Sequence, residues 1–374
     1  MFVVMVAGCG KEEVPLSQKR VVLDICAMVD PSTQTKFTVL PDADDGEGHY
    51  YLRATDFGIF ICDHYSGSNN PYNEYAVRYN NIHAQGGNNS WRYNYFNYSE
   101  FDTLYLIPKD DNPRDGNTDI GCDIFAYAPY QYSVTSMEAI PFSIINQTDV
   151  MYAAENGVSN LDIDPAAYQV APYNGRLPVP LTFKHALSLL EFDFELKNDT
   201  YNHPFVSFTD VEHHNDRTVA HLMQSITVEK TRNAAHIYSE GKMNALNGSL
   251  YDLTEVSSLT AFSLGLNRSN NPVVQPYEIA RAYMVWVPTQ PGDDYVDGDY
   301  VFTFRFSGQD LPITFTLLRE HLLHHDAGTP PSTYGFLPGY KYTFHFTIDN
   351  YVHFDGVNIS DWDSIAEPAF QTEI

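Results

Sequence analysis

From Tyr340 to Ile348, apolar and polar residues alternate without a break. Tyr340, Tyr342, Phe344, Phe346 and Ile348 fall on one side, and Lys341, Thr343, His345 and Thr347 on the other. A period of two belongs to a β-strand with one buried and one wet face. The middle of the chain carries the same pattern: Leu190, Phe192, Phe194 and Leu196 oppose Glu191, Asp193 and Glu195, which are expected to face water. Leu187, Leu190 and Phe194 would also fit a helical stripe, so the residues alone leave that segment open. Tyr300, Phe302, Phe304 and Phe306 line a third alternating face, and the 27 Tyr and 23 Phe of the chain suit half-buried sheet.

Shorter segments of the same kind run through the chain. Val21–Val29 reads as an isolated strand, followed by a long loop rich in Asp, Gly and Pro from Asp30 to Tyr50. Strands are expected at Phe57–Ile61, Trp91–Tyr95, Tyr105–Ile107, Asp123–Pro129 and Ile140–Ile145, with a polar, Asn-rich loop over Ser66–Asn89. Beyond the middle they are expected at Gln224–Lys230, Ala282–Pro288, Leu311–Leu317 and Val357–Asp363, and Phe336–Gly339 reads as the turn into Tyr340–Ile348. Pro178 and Pro180 remove backbone donors and mark a boundary. Short strands, frequent turn signals and no long amphipathic helix indicate an all-β chain of two sandwiches. The expected division is a tether over residues 1–19, one sandwich over 20–178 and a second over 179–374. No short internal repeat points to a propeller or solenoid.

A length of 374 residues fits two domains with ample core, and a net charge of −27 argues against nucleic acid or anionic lipid as partners. No apolar run is long enough for a membrane helix. The four cysteines, Cys9, Cys26, Cys62 and Cys122, are too few for a disulfide framework and form no Cys-x-x-Cys pair, so buried thiols are expected.

The chain opens on an apolar stretch ending Val6-Ala7-Gly8-Cys9, which resembles the bacterial lipobox, where an export signal is cut before a cysteine that is then acylated. The stretch is short and lacks basic residues ahead of it, so the true start is expected upstream. A polar tether, Gly10–Gln18, follows. More than one acyl chain on Cys9 would anchor the protein stably. Lys11-Glu12-Glu13 resembles the signal that sends some Bacteroidales-type lipoproteins to the outer face of the outer membrane.

Residues able to carry chemistry do not converge. His213, His214 and Asp216, and His321, His324, His325 and Asp326, have metal-compatible spacing but fall in predicted turns, where solvated histidines are the ordinary reading. No pair of carboxylates, nucleophile elbow or phosphate loop stands out, so no enzymatic activity, metal or cofactor is expected. Trp91, Tyr93, Tyr95, Phe96 and Tyr98 beside an Asn-rich loop could stack on sugar rings or serve as core and edge of a sandwich. Asp102-Thr103-Leu104 and Asp363-Ser364-Ile365 match a short bacterial O-glycosylation pattern.

Several segments, in order, resemble the fimbrillin family of Bacteroidales, the subunits and relatives of type V pili. They are the lipobox, the isolated first strand, Asp56–Phe60, Asp123–Pro129, Phe183–Ser188, Val285–Pro288, Pro338–Phe344 and Ile359–Trp362. The resemblance implies two tandem transthyretin-like β-sandwich domains, the second joined near Leu177–Pro180, and makes His185 a structural histidine close to the joint. It implies assembly with other fimbrillin subunits by strand exchange. A protease removes the first strand, and an extended segment of a neighbour fills the open groove by β-augmentation. Here the first strand is Val21–Val29, with Val21, Leu23, Ile25 and Val29 facing the groove. The family often carries Thr-Arg-Ala at the cut; this chain has Thr35-Lys36-Phe37, which leaves Lys36 and Arg53 as candidate cleavage positions. That departure fits an anchor or accessory subunit that keeps its lipid. The C-terminal Glu367–Ile374 is a candidate donor. The implied place is the outer membrane and cell-surface fimbrium, with adhesion to a host or glycan ligand. The competing reading is an outer-surface glycan-binding lipoprotein of a polysaccharide-uptake system.

Overall fold

The structure is a computed structural model that describes residues 21–29, 41–44, 50–52, 56–65, 77–87, 90–94, 105–106, 120–158, 177–196, 206–208, 217–219, 223–262, 278–293, 296–306, 312–322, 335–348 and 352–362. These residues are almost entirely strand. In chain order the first strands are β1 (Val21–Val29), β2 (Pro41–Asp44), β3 (Tyr50–Leu52), β4 (Phe57–Tyr65), β5 (Val77–Gly87), β6 (Ser90–Asn94) and β7 (Tyr105–Leu106). Next come β8 (Ile120–Ala128), β9 (Ile140–Ser143), β10 (Met151–Val158), β11 (Leu177–His185), β12 (Ser188–Leu196), β13 (Val206–Phe208), β14 (Arg217–Val219) and β15 (Met223–Lys230). The last are β16 (Ile237–Met243), β17 (Leu250–Val256), β18 (Ser258–Phe262), β19 (Glu278–Trp286), β20 (Tyr300–Phe306), β21 (Ile313–Thr316), β22 (Tyr340–Ile348) and β23 (Val352–Asp361).

The first half forms a ten-stranded sheet in the order β2-β3-β1-β11-β10-β8-β4-β5-β6, with β7 also on β1. Its centre is buried on both faces, as expected where a strand reads as a continuous apolar run: Phe57, Ile59, Phe60, Ile61 and Cys62 of β4 are all buried, as are Ile124–Ala128 of β8. Register divides these residues cleanly. Phe60 and Phe125 pair on one face, and Ile59 with Ala126 and Ile61 with Ile124 on the other. Cys62 is a buried thiol whose Sγ lies 3.9 Å from Met137 Sδ.

The second half is built as two facing four-stranded sheets, β19-β12-β22-β23 and β18-β15-β20-β21. The alternation that announced these strands supplies their common core. Phe192 of β12 stacks on Phe344 of β22 and meets Phe302 and Phe304 of β20, while Phe194 stacks on Phe346 and meets Phe304 edge-on. Each such ring pair adds about 0.5–1.5 kcal/mol to the burial of its apolar area. Ile226 and Val228 of β15 and Phe315 of β21 complete this core.

A three-stranded sheet, β17-β16-β9, joins the halves, because β9 comes from the first and pairs with β16 of the second. One hydrophobic cluster therefore runs from Phe60 and Phe125 through Ile140 and Ile144 to the phenylalanines of the second half.

Four local expectations are corrected. Ser66–Asn89 is not all loop, since it contains β5, and Asp30–Tyr50 contains β2. The prolines 178 and 180 lie inside β11 rather than between elements. Their spacing puts both missing donors on one side of the strand, and β10 reaches only Lys184 and His185 of it. Leu190–Leu196 belongs to strand β12, but its acidic face is not wet: Glu191 is 3% and Asp193 5% exposed. The reason lies in the parallel neighbour β22, which sets Thr343 opposite Glu191 and His345 opposite Asp193. Glu191 takes Lys341 Nζ at 3.1 Å and the Thr343 hydroxyl at 3.2 Å, and His345 Nδ1 lies 3.5 Å from Asp193. A carboxylate can be buried when a cation and a donor accompany it.

Candidate functional site: the first strand and its partner

β11 has unequal neighbours. On one edge β1 runs parallel to it from Leu23↔Leu177 to Val29↔Phe183; on the other, β10 pairs only Met151 with His185 and Tyr152 with Lys184. The ladder of Leu177–Phe183 thus rests on a strand that lies far away in sequence. Val179, Leu181 and Phe183 are buried at 2%, 0% and 0% exposure, and the Phe183 ring meets Phe57 edge-on at 5.3 Å. Along this ladder Ile25, Ala27 and Val29 are in register with Val179, Leu181 and Phe183. Val21, Leu23, Ile25 and Val29 all lie within β1. Of the remaining described strands, β3 takes Met28 and Val29 and β7 takes Val21 and Val22; Leu23–Ala27 pair with β11 alone.

The end of β11 leads straight into a polar seam. His185 Nδ1 donates to Asp149 Oδ2 at 2.6 Å, both side chains are fully buried, and the imidazole stacks on Trp362 at 4.1 Å. The chain then crosses from the ten-stranded sheet into β12 within Ala186–Leu187. The Ala186 N–H donates to Val150 O at 3.0 Å, and Leu187 O accepts the Gly339 N–H at 2.8 Å. Gly339 has φ +77°, which a side chain would disfavour, and its carbonyl accepts the Trp362 N–H at 2.7 Å. Gln147 adds a second tie: its Oε1 accepts the Val285 N–H at 2.6 Å while its Nε2 donates to Ile144 O at 2.9 Å. Sequence reasoning placed His185 in this region but missed Asp149 and Gln147. Both stand in irregular segments where no periodicity marks them. Nothing in this buried seam is open to a substrate.

Other sequence-derived positions divide between the described residues and the rest. Cys9, Lys36, Arg53, Glu367–Ile374 and the His213, His214, His324 and His325 positions lie outside the described residues. Trp91 and Tyr93 are on β6 at the end of the ten-stranded sheet, whereas Tyr95, Phe96 and Tyr98 lie outside the described residues. His321 stands in the 3-10 turn Arg319–Leu322, where burial lowers its pKa and its Nδ1 accepts the Leu318 N–H at 3.1 Å. Among the described residues no group of His, Cys, Asp or Glu could hold a metal ion, and no helix is long and apolar enough to cross a membrane.

The described residues form an all-β architecture in which the first strand runs parallel to its long neighbour. Residues 54–362 match the fimbrillin-like family, and the chain belongs to it. Membership gives a structural fimbrial role at the cell surface, among other fimbrial subunits, and not an enzymatic one. Among solved structures the chain is similar to a Bacteroides uniformis protein assigned to cell adhesion, at 15% identity and a TM-score of 0.49, covering 92% of this chain and 99% of that one. It is also similar to the tip fimbrial protein Mfa3 of Porphyromonas gingivalis, at 9% identity and a TM-score of 0.41 over 92% and 100% of the two chains. A third is the fimbrial anchor protein Mfa2 of the same organism, at 8% identity and a TM-score of 0.31 over 92% and 98%. No curated protein matches the chain.

Proposed function

We propose that this chain is a lipid-anchored subunit of a type V pilus, of the anchor or accessory kind. It is held in the outer membrane by acylated Cys9 and contributes to adhesion. We read it as two tandem transthyretin-like β-sandwich domains, with Val21–Val29 as the element whose place a neighbouring subunit's segment can take. The observation that carries this reading is the dependence of β11 on β1. Loss of β1 would uncover the unpaired edge of Leu177–Phe183 together with the apolar face of Val179, Leu181 and Phe183. An open edge of that kind is completed by any extended segment with apolar residues at alternate positions. The wording at Thr35-Lys36-Phe37 favours a chain that keeps its first strand and its lipid.

The test is N-terminal sequencing and mass measurement of the protein recovered from the cell surface. A start at acylated Cys9 is the expected result. A start after Lys36 or Arg53 would make it a processed, polymerising subunit instead. A chain that is never acylated and never found with other fimbrillins would overturn the proposal. In vitro, a variant lacking residues 21–29 is expected to bind a synthetic peptide of those residues, and a peptide with Ile25→Asp is expected not to bind.

A further inference from the structure

Away from the first strand, β16, β19 and β20 meet the turn after β19 at a small notch lined by His236, Tyr238, Trp286, Thr289, Asp293 and Tyr300. Its depth admits one water-sized group, about 10 Å³. The His236 and Tyr238 rings are parallel at 5.8 Å, and Trp286 meets Tyr300 edge-on at 5.6 Å. Asp293 is the carboxylate among these rings. The described residues give it no cationic partner; it has only the Tyr238 hydroxyl on Oδ1 at 3.2 Å and the Gln290 N–H on Oδ2 at 3.0 Å.

The hydrogen-bond inventory decides what such a notch accepts. Two hydroxyl donors at the notch are engaged within the protein, the Tyr238 hydroxyl on Asp293 and the Tyr300 hydroxyl on His236 O at 2.8 Å, and the His236 Nδ1 lies 3.4 Å from Glu255 Oε1. Burial, and then the neighbouring Asp293, push the Tyr238 hydroxyl up to about 12, so it stays a donor across the physiological range. Asp293 keeps acceptor capacity, one lone pair or more on each oxygen, and aromatic rings stand beside it. An anion is repelled by the Asp293 carboxylate, and a neutral hydroxyl donates to it without the gain of charge. A primary ammonium satisfies both features, as a charge-assisted donor to the carboxylate and as a cation over the rings. It is also of the right size, whereas a trimethylated nitrogen is not. The net charge of −27 raises the local concentration of any cation.

We propose that this notch binds a primary ammonium group, presented by a lysine side chain of a partner protein or by a free alkylamine. Saturation-transfer NMR on the full chain tests it with Nα-acetyl-lysine methylamide as the probe. Saturable binding that Nα-acetyl-norleucine methylamide and the Nε-trimethyl-lysine analogue do not show is the expected result; equal binding of either analogue would overturn the proposal. Asp293→Asn is expected to weaken the lysine probe by roughly tenfold or more. Unchanged binding in a folded Asp293→Asn variant would overturn the assignment. Should that variant not fold, the comparison of lysine and norleucine probes on the unaltered chain decides alone. Tighter binding of the blocked lysine than of n-butylammonium assigns the source to a protein side chain, and equal binding assigns it to free amines.

Discussion

β11 and β12 are consecutive in the chain and unlike in every respect that matters for stability. β12 is flanked along its length on both sides, by β19 through Ser188–Glu195 and by β22 through Leu189–Leu196. β11 has one long neighbour, β1, and a brief second one, β10. The apolar side of β12 faces stacked phenylalanines, while on the apolar side of β11 Phe183 meets Phe57 edge-on. One strand is locked by its own half of the chain. The other depends on a segment beyond a long stretch of sequence. The strand replacement proposed for this chain needs both kinds, and here they meet across two residues.

The comparison breaks most sharply at Phe192. Phe192→Asp puts an unpaired charge among Phe302, Phe304 and Phe344 and is expected to abolish the cooperative unfolding transition in urea. A soluble variant with a normal transition would show that β12 is not the locked strand. His185→Ala acts on the junction itself. It leaves Asp149 buried without its imidazole donor and empties the space stacked on Trp362, and is expected to cost about 3–5 kcal/mol in denaturant unfolding, with Asp149→Asn costing less. Leu181→Ala, on β11 alone, is expected to cost about 2–5 kcal/mol. It should raise hydrogen exchange along Leu177–Phe183 and leave β12 and β22 protected; equal loosening of both strands would contradict the asymmetry drawn here.

The smallest effect is one of pH. Hydrogen bonding to Asp193, opposed by burial and helped by the charges of Asp193, Glu195 and Glu191, raises the His345 pKa above its ordinary value of about 6.5. A raised folded-state value means that its stabilisation is full below the unfolded value and is lost as pH rises through the folded one. Unfolding free energy is therefore expected to fall slightly more between pH 6 and pH 8 in the native chain than in His345→Gln. Parallel curves would remove His345 from the account. The imidazole is partly exposed, so solvent screening keeps the difference small.

Much of this architecture could be read from periodicity. β20 and β22 are marked by alternation because each sets a row of aromatic residues against a mainly polar side. β5, β10 and β16 are not, and the reasons are local. Asn81 in β5 adopts φ +50° and donates to Gln131 O and Val134 O, breaking the pattern where the β4 register shifts. β16 shifts register twice against β17, around Glu240. β10 carries small residues, Ala153 and Ala154, with little contrast to read. The candidate site was half legible. Val21–Val29 stood out, but its partner was hidden by two prolines that read as punctuation, and Asp149 became meaningful only once folding set it against His185.

The parallel course of β1 beside β11 also has a mechanical side. The N-terminal end of β1 and the point where β11 runs on into β12 lie at opposite ends of the shared ladder. A tension applied between those two points drags the strands past one another lengthwise, so the bonds from Leu23 to Val29 carry the load together rather than one after another. A hairpin pulled at its open end would peel apart bond by bond. If the chain is tethered at its start as proposed, a pull along the fimbrium meets this joint in its strong direction.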